Sequence, residues 1–181
     1  MRMLIEPTRA TLRRDMTDRL RVQFIHGLEG SPQGAKARFL AEHFEACTLA
    51  MDTRDFAGCV DAQARALAET GPDVVVGSSF GGAVAVELLA RGAWRGPTLL
   101  LAQAALKLGR TRVLPVGVPV ILVHGLRDDV VAIDDSRALA ATGSARLVKL
   151  IEVDDDHRLQ TLLDSGRLAN LVREVVSLAK A

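Results

Sequence analysis

The chain has no tyrosine, one tryptophan and five phenylalanines among its 181 residues. So few aromatic rings exclude a base-stacking platform for single-stranded nucleic acid. An excess of charge of one sign is also missing: 23 Lys and Arg are interspersed with 22 Asp and Glu, for a formal net charge of +1. That balance supplies neither the basic footprint of a nucleic-acid-binding domain nor a polybasic membrane patch. There are only two cysteines, Cys47 and Cys59. They are too few and too far apart for a metal knuckle or a redox Cys-x-x-Cys pair, and they read as two reduced, packed thiols. No apolar run approaches the length of a membrane span. Met3, Leu4 and Ile5 are followed at once by Glu6 and Pro7, so no signal-peptide core is expected. What remains is a cytoplasmic globular protein with no nucleic-acid, membrane, metal or cofactor requirement. With 49% apolar residues, the chain can bury the core of one domain.

Residues 1–20 are rich in Arg, Thr and Asp and only weakly periodic. They read as an appendage, and Met16 offers an alternative start just ahead of the first strand signal. Residues 21–181 form the domain. Strand-like apolar runs recur at about 21–26, 46–51, 73–77, 98–102, 118–124 and 146–152. Helix-like stretches lie at about 34–45, 56–69, 80–91 and 133–142, and a last one runs from about 158 to 179. In that last stretch Leu168, Leu171, Val172, Val175, Val176 and Ala179 share one face at amphipathic spacing. Several strands are unbroken Val, Leu and Ile, the composition of strands covered on both faces. The alternation predicts a three-layer α/β/α sandwich on a mostly parallel sheet of about six strands. In open sheets of this kind, sites lie at the carboxyl ends of the strands.

One motif stands at such an end. After Val74, Val75 and Val76 the chain reads Gly77-Ser78-Ser79-Phe80-Gly81, and the helix-prone Ala83–Ala90 stretch comes next. A Gly-x-Ser-x-Gly turn between a buried strand and a helix holds the serine hydroxyl up for attack, because the glycines remove Cβ atoms that would clash there. A serine hydroxyl needs a base to take its proton, and a neutral histidine serves near pH 7. A carboxylate must then orient that histidine, and two N–H donors must hold the developing oxyanion. Ser79 is the nucleophile candidate. Asp128, just past the fifth strand, is the acid candidate, with its neighbour Asp129 as rival. His157, in the loop Asp154-Asp155-Asp156-His157, is the base candidate. The backbone N–H groups of Phe80 and Leu28 are the oxyanion candidates.

The order Ser, Asp, His and the segment His26-Gly27-Leu28-Glu29-Gly30-Ser31-Pro32-Gln33-Gly34-Ala35-Lys36 carry a resemblance. Over residues 21–179 the chain resembles α/β-hydrolase-fold serine hydrolases, and among them the small, lid-less bacterial esterase-like group of YqiA/YcfP type. That group opens His-Gly-x-x-Ser-Ser-Pro-x-Ser-x-Lys, so Gly30 and Gly34 stand here in place of serines. The resemblance implies carboxylic ester hydrolysis through an acyl-enzyme, with Ser79, Asp128 and His157 as the triad. The likeness of the fifth-strand loop to Gly-x-x-Asp-x-x-Val favours Asp128 over Asp129. A thioesterase or amidase on the same triad, and a catalytically silent scaffold, are the alternatives.

The other histidines read as structural: His43 within a helix, His26 and His124 as loop braces. The run Asp154 to Asp156 reads as a solvated loop whose carboxylates favour a helix N-terminus. Gly81-Gly82 lacks the Gly-Lys-Ser/Thr ending of a phosphate loop. Only Gln103 to Gly117 separate the fourth and fifth strands, too few residues for a helical cap, so the site should be open. Its expected walls are Leu28, Phe80, Ala104, Ala105, Leu106 and Val130, small and without aromatic side chains beyond Phe80. Glu29 should point to solvent or meet a cationic part of the substrate, a small ester or other acyl compound.

Overall fold

The computed structural model of the chain describes residues 19–180. The appendage read for residues 1–20 therefore lies, up to residue 18, outside the described residues. Six strands form one sheet: β1 Arg21–Ile25, β2 Glu45–Thr48, β3 Val74–Ser78, β4 Thr98–Leu101, β5 Val120–Gly125 and β6 Val148–Val153. Every neighbouring pair is parallel, and the spatial order is β2-β1-β3-β4-β5-β6.

Parallel strands need crossovers, and helices provide them: α1 Ala35–His43, α2 Phe56–Thr70, α3 Phe80–Ala90, α4 Ile133–Ala140, α5 Gln160–Asp164 and α6 Arg167–Leu178. Alternate residues of the strands point to opposite faces. Val22, Phe24, Val74, Val76, Leu99, Leu101, Ile121 and Val123 form one core with α1 and α6. Ile25, Val75, Leu100, Val120 and Leu122 form the other with α2, α3 and α4. The three-layer sandwich expected from the alternation is thus the observed architecture. The unbroken Val74, Val75 and Val76 are each 0% exposed because both faces of β3 are covered. Each such side chain contributes about 1.5–3 kcal/mol relative to exposure.

Three local expectations need correction. The single helix expected over 158–179 is two, because Gly166 takes a left-handed φ of 71° between α5 and α6. Ser165 caps the end of α5 by donating its hydroxyl to the Thr161 carbonyl. The strand expected from residue 118 starts at Val120 instead, because Pro119 has no N–H for the ladder. Only one of the two thiols is packed: Cys59 is buried against the Asp52 carbonyl, whereas Cys47 on the edge strand β2 is exposed.

The strand order places the site. The chain goes from β1 outward to β2 and returns to the other side of β1 as β3. The loops after β1 and β3 diverge at that switch point, and the crevice they leave is where ligands bind in sheets of this type.

Candidate active site

Residues Gly77 to Gly81 form the turn from β3 into α3. Ser79 sits at its apex with φ 54° and ψ −115°, a conformation costing a non-glycine residue on the order of 1–3 kcal/mol. Surrounding bonds hold it there. Ser79 N–H donates to the Leu101 carbonyl at 2.9 Å, and the Ser79 carbonyl accepts from Ala83 and Ala104, each at 3.1 Å. The flanking glycines leave the room the turn needs. A Cβ on Gly81 would stand 2.0 Å from the Ile25 carbonyl oxygen, and one on Gly77 would stand 2.6 Å from the Gly81 carbonyl oxygen.

The structure brings the three candidate side chains together. The Ser79 Oγ lies 3.0 Å from His157 Nε2. The other ring nitrogen, Nδ1, lies 2.7 Å from Asp128 Oδ2. A carboxylate only accepts, so His157 carries its proton on Nδ1 and offers Nε2 to the serine. Asp128 Oδ1 accepts from the Val130 and Val131 N–H groups at 2.9 and 2.8 Å. The Asp128 side chain is fully buried, and that of His157 is partly buried at 18% exposed. Burial by itself pushes the Asp128 carboxyl up. The Val131 N–H, His157 and the Val130 N–H outweigh it, so the group is held below the ordinary carboxylate value. Asp129 is exposed and makes no bond to His157.

The oxyanion candidates flank the serine. Gly27 packs so closely that a Cβ there would lie 3.3 Å from Ser79 Cβ and 3.8 Å from Ser79 Oγ, which brings the loop carrying Leu28 alongside Ser79. Among the described residues, neither the Leu28 nor the Phe80 N–H has a backbone acceptor. Phe80 opens α3, where such unpaired donors are expected. His26 braces this loop: its Nδ1 donates to the Gly27 carbonyl at 2.8 Å.

The cleft at Ser79 has a volume of about 470 Å³. Leu28, Glu29 and Val130 line it, as expected. Ala104 and Leu106 do not, nor do Phe80 and Ala105. The segment after β4 folds inward, burying Ala104 and Ala105, and packs Leu106 against the core beside Phe80. The opening lies instead between the β1–α1 loop and the segment after His157. Phe24, an aromatic ring absent from the expected walls, lines it together with Lys36, Arg158 and Leu163. No helix covers residues 103–117. Leu28 and Val130 are 57% and 45% exposed at the rim, and Glu29 is exposed.

Two groups position the His157 loop: Asp155, which has no distinctive mark in the sequence, and Lys36, the lysine that closes the His26-to-Lys36 segment. Asp155 is not solvated but 5% exposed. Its Oδ2 accepts from the Thr161 hydroxyl at 2.6 Å and the Thr161 N–H at 2.9 Å, and its Oδ1 from the Asp156 N–H at 2.8 Å. Burial pushes this carboxyl up, and those three donors together bring it below the ordinary value. Lys36 donates Nζ to the Arg158 carbonyl at 2.6 Å, and burial lowers the pKa of its ammonium. The His157 loop is thus pinned on both sides. The other two members of the acidic run serve the same loop: Asp154 pairs with Arg127, and Asp156 accepts from the Arg158 N–H. Among the described residues no group of three His, Cys, Asp or Glu side chains converges as a metal site.

No protein-family model and no curated protein matches the chain. Solved structures do. A protein of Xanthomonas campestris pv. campestris assigned to the hydrolases of the alpha/beta superfamily is 26% identical, over 90% of this chain and 99% of its own, with a TM-score of 0.66. A protein of Agrobacterium vitis S4 assigned as a hydrolase is 19% identical, over 88% of each chain, with a TM-score of 0.70. The esterase RhEst1 from Rhodococcus sp. ECU1013 is 18% identical, over 87% of this chain and 90% of its own, with a TM-score of 0.64. The chain has the α/β-hydrolase fold.

Proposed function

We propose that the protein is a serine hydrolase, a carboxylesterase that cleaves small esters through an acyl-enzyme. The observation that carries this reading is the continuous line from Ser79 Oγ through His157 to the buried Asp128 carboxylate. Ser79 Oγ attacks the ester carbonyl carbon, and its proton passes to His157 Nε2 as the new C–O bond forms. The carbonyl oxygen takes the negative charge and is held by the Leu28 and Phe80 N–H groups. One such donor is typically worth about 2.7–4 kcal/mol of barrier. Asp128 stabilises the imidazolium without taking its proton. The tetrahedral adduct then expels the alcohol, which takes the proton from Nε2. Water repeats the sequence on the acyl-enzyme, releasing the acid and restoring Ser79.

The open cleft supports hydrolysis over acyl transfer, because water reaches the intermediate. The likeness to structures assigned as hydrolases and esterases points the same way. Within that fold, the His26-to-Lys36 segment supports a place in the small lid-less esterase-like group of YqiA/YcfP type, with residues 21–181 as the hydrolase domain. No described helix is long and apolar enough to cross a membrane, and we place the protein in the cytoplasm. The test is turnover of p-nitrophenyl acetate by the purified protein and by Ser79→Ala. An intact triad predicts a loss on the order of 10⁶ in kcat; equal turnover by the variant would exclude Ser79 as nucleophile.

A further inference from the structure

Behind the candidate triad lies a second polar chain that the proposed reaction does not use. His124 lies in β5 with its side chain 0% exposed. Its Nε2 is 2.9 Å from the Val131 carbonyl and 3.1 Å from Asp128 Oδ2. Its Nδ1 is 2.8 Å from the Ser136 hydroxyl on α4. The Ser136 Oγ is in turn 3.2 Å from Gln103 Nε2, and Gln103 Oε1 accepts from the Ala105 N–H at 2.8 Å.

In the uncharged ring the direction of every bond in this chain is fixed. A carbonyl and a carboxylate only accept, so the neutral ring must carry its proton on Nε2. Nδ1 is then an acceptor, and the Ser136 hydroxyl must donate to it. Ser136 Oγ therefore receives its own donor from the Gln103 amide, whose oxygen already faces an N–H. Both ends of the chain touch the site. Gln103 packs against α3, where a Cβ on Gly82 would stand 2.7 Å from its Cβ, and the next residue, Ala104, donates to the Ser79 carbonyl. At the far end, His124 holds the Val131 carbonyl while Asp128 holds the Val131 N–H.

We propose that His124 is a positioning residue: through the Gln103–Ser136–His124 chain it fixes the turn carrying Asp128 relative to the nucleophile turn, and its Nε2–H dipole supports the Asp128 carboxylate alongside the bond from His157. His124 does not line the cleft, so its removal acts on turnover and not on substrate binding. The kinetic part of this inference rests on the serine-hydrolase reading; the tautomer part does not.

The test has two arms. The first is ¹⁵N NMR of the histidine rings in the full chain at neutral pH. His124 is expected as a single Nε2–H tautomer, and in Ser136→Ala, which leaves both acceptors of Nε2 in place and removes only the donor to Nδ1, the tautomer is expected to persist while the Nδ1 shift moves away from its hydrogen-bonded value. An Nδ1–H or averaged His124 ring in the wild type overturns the chain. The second arm measures p-nitrophenyl acetate kinetics per site titrated with a fluorophosphonate, so that misfolded protein is not counted. His124→Phe is expected to lose about tenfold or more in kcat with KM within about twofold, since small displacements of catalytic groups act on rate. His124→Gln, which retains an N–H donor, should recover most of the loss, and Ser136→Ala should fall between them. Unchanged kcat per site in both His124→Phe and Ser136→Ala overturns the positioning role. If the wild type shows no turnover, the hydrolase reading fails while the tautomer arm still decides the chain.

Discussion

Replacing Asp128 by Asn keeps its size and removes one acceptor, at a carboxylate whose two oxygens are both in use. Oδ1 accepts two backbone N–H groups and Oδ2 accepts the His157 Nδ1–H. An amide has a single oxygen to serve both sides. If it stays on Val130 and Val131, the NH₂ faces His157 and drives its proton from Nδ1 to Nε2, leaving Ser79 without a base. If it turns to His157, two backbone donors face an NH₂, at about 1–3 kcal/mol each. The first arrangement sets the NH₂ against one donor, His124 Nε2–H, and the second sets it against two, so the first is favoured by about 1–3 kcal/mol, the cost of the one extra donor. A wrong tautomer of this kind lowers kcat by about 10⁴ in serine proteases, equivalent to about 5 kcal/mol at 1.36 kcal/mol per decade. We expect a loss of that order, measured as p-nitrophenyl acetate turnover at pH 7 on protein whose circular dichroism is unchanged. Asp129→Asn, at an exposed position, should keep wild-type turnover. Asp128→Asn within tenfold of wild type, or Asp129→Asn as the inactive variant, would refute the assignment.

Gly81→Ala should cost about 3 kcal/mol or more by chemical denaturation and at least about 10² in kcat, because the new Cβ would meet rigid backbone of β1 at 2.0 Å; a stable, active variant would show that the turn is placed otherwise. Asp155→Asn should cost about 1–3 kcal/mol at pH 7, since it sets an NH₂ against donors that Asp155 now accepts from. The folded carboxyls of Asp128 and Asp155 lie below the ordinary value of 3.8. Their stabilisation is thus complete above that pH and is lost as pH falls below it through the folded values. Denaturation midpoints measured from pH 5 downward should fall for wild type, and less steeply for Asp155→Asn; parallel curves would contradict the role given to Asp155.

The fold was legible because its signals are local. Unbroken apolar strands alternating with helical stretches leave few other architectures, and the Gly77-to-Gly81 turn carries its own steric logic. Ser79 and His157 were marked by motif and chain order. Choosing between Asp128 and Asp129 is harder from sequence, since adjacent carboxylates differ only in where the loop sends them; the Val130 and Val131 N–H groups single out the first. The supporting contacts were illegible for a non-local reason. Lys36 meets Arg158 across 122 positions, and Gln103 meets Ser136 across 33. Asp155 looks like its neighbours until burial distinguishes it. The misplaced walls have the same origin: periodicity shows that residues 103–117 cannot form a cap, but not that Ala104 and Leu106 turn inward and leave the cleft to Phe24, Lys36 and Leu163.

The central claim is that Ser79 is a nucleophile activated by His157. Its most direct test is labelling with a fluorophosphonate probe, read by intact mass and peptide mapping. One adduct per chain on Ser79 is expected, with none on Ser79→Ala and strongly slowed labelling of His157→Ala. Folded wild-type protein that takes no label, or that takes it at another residue, would contradict the account.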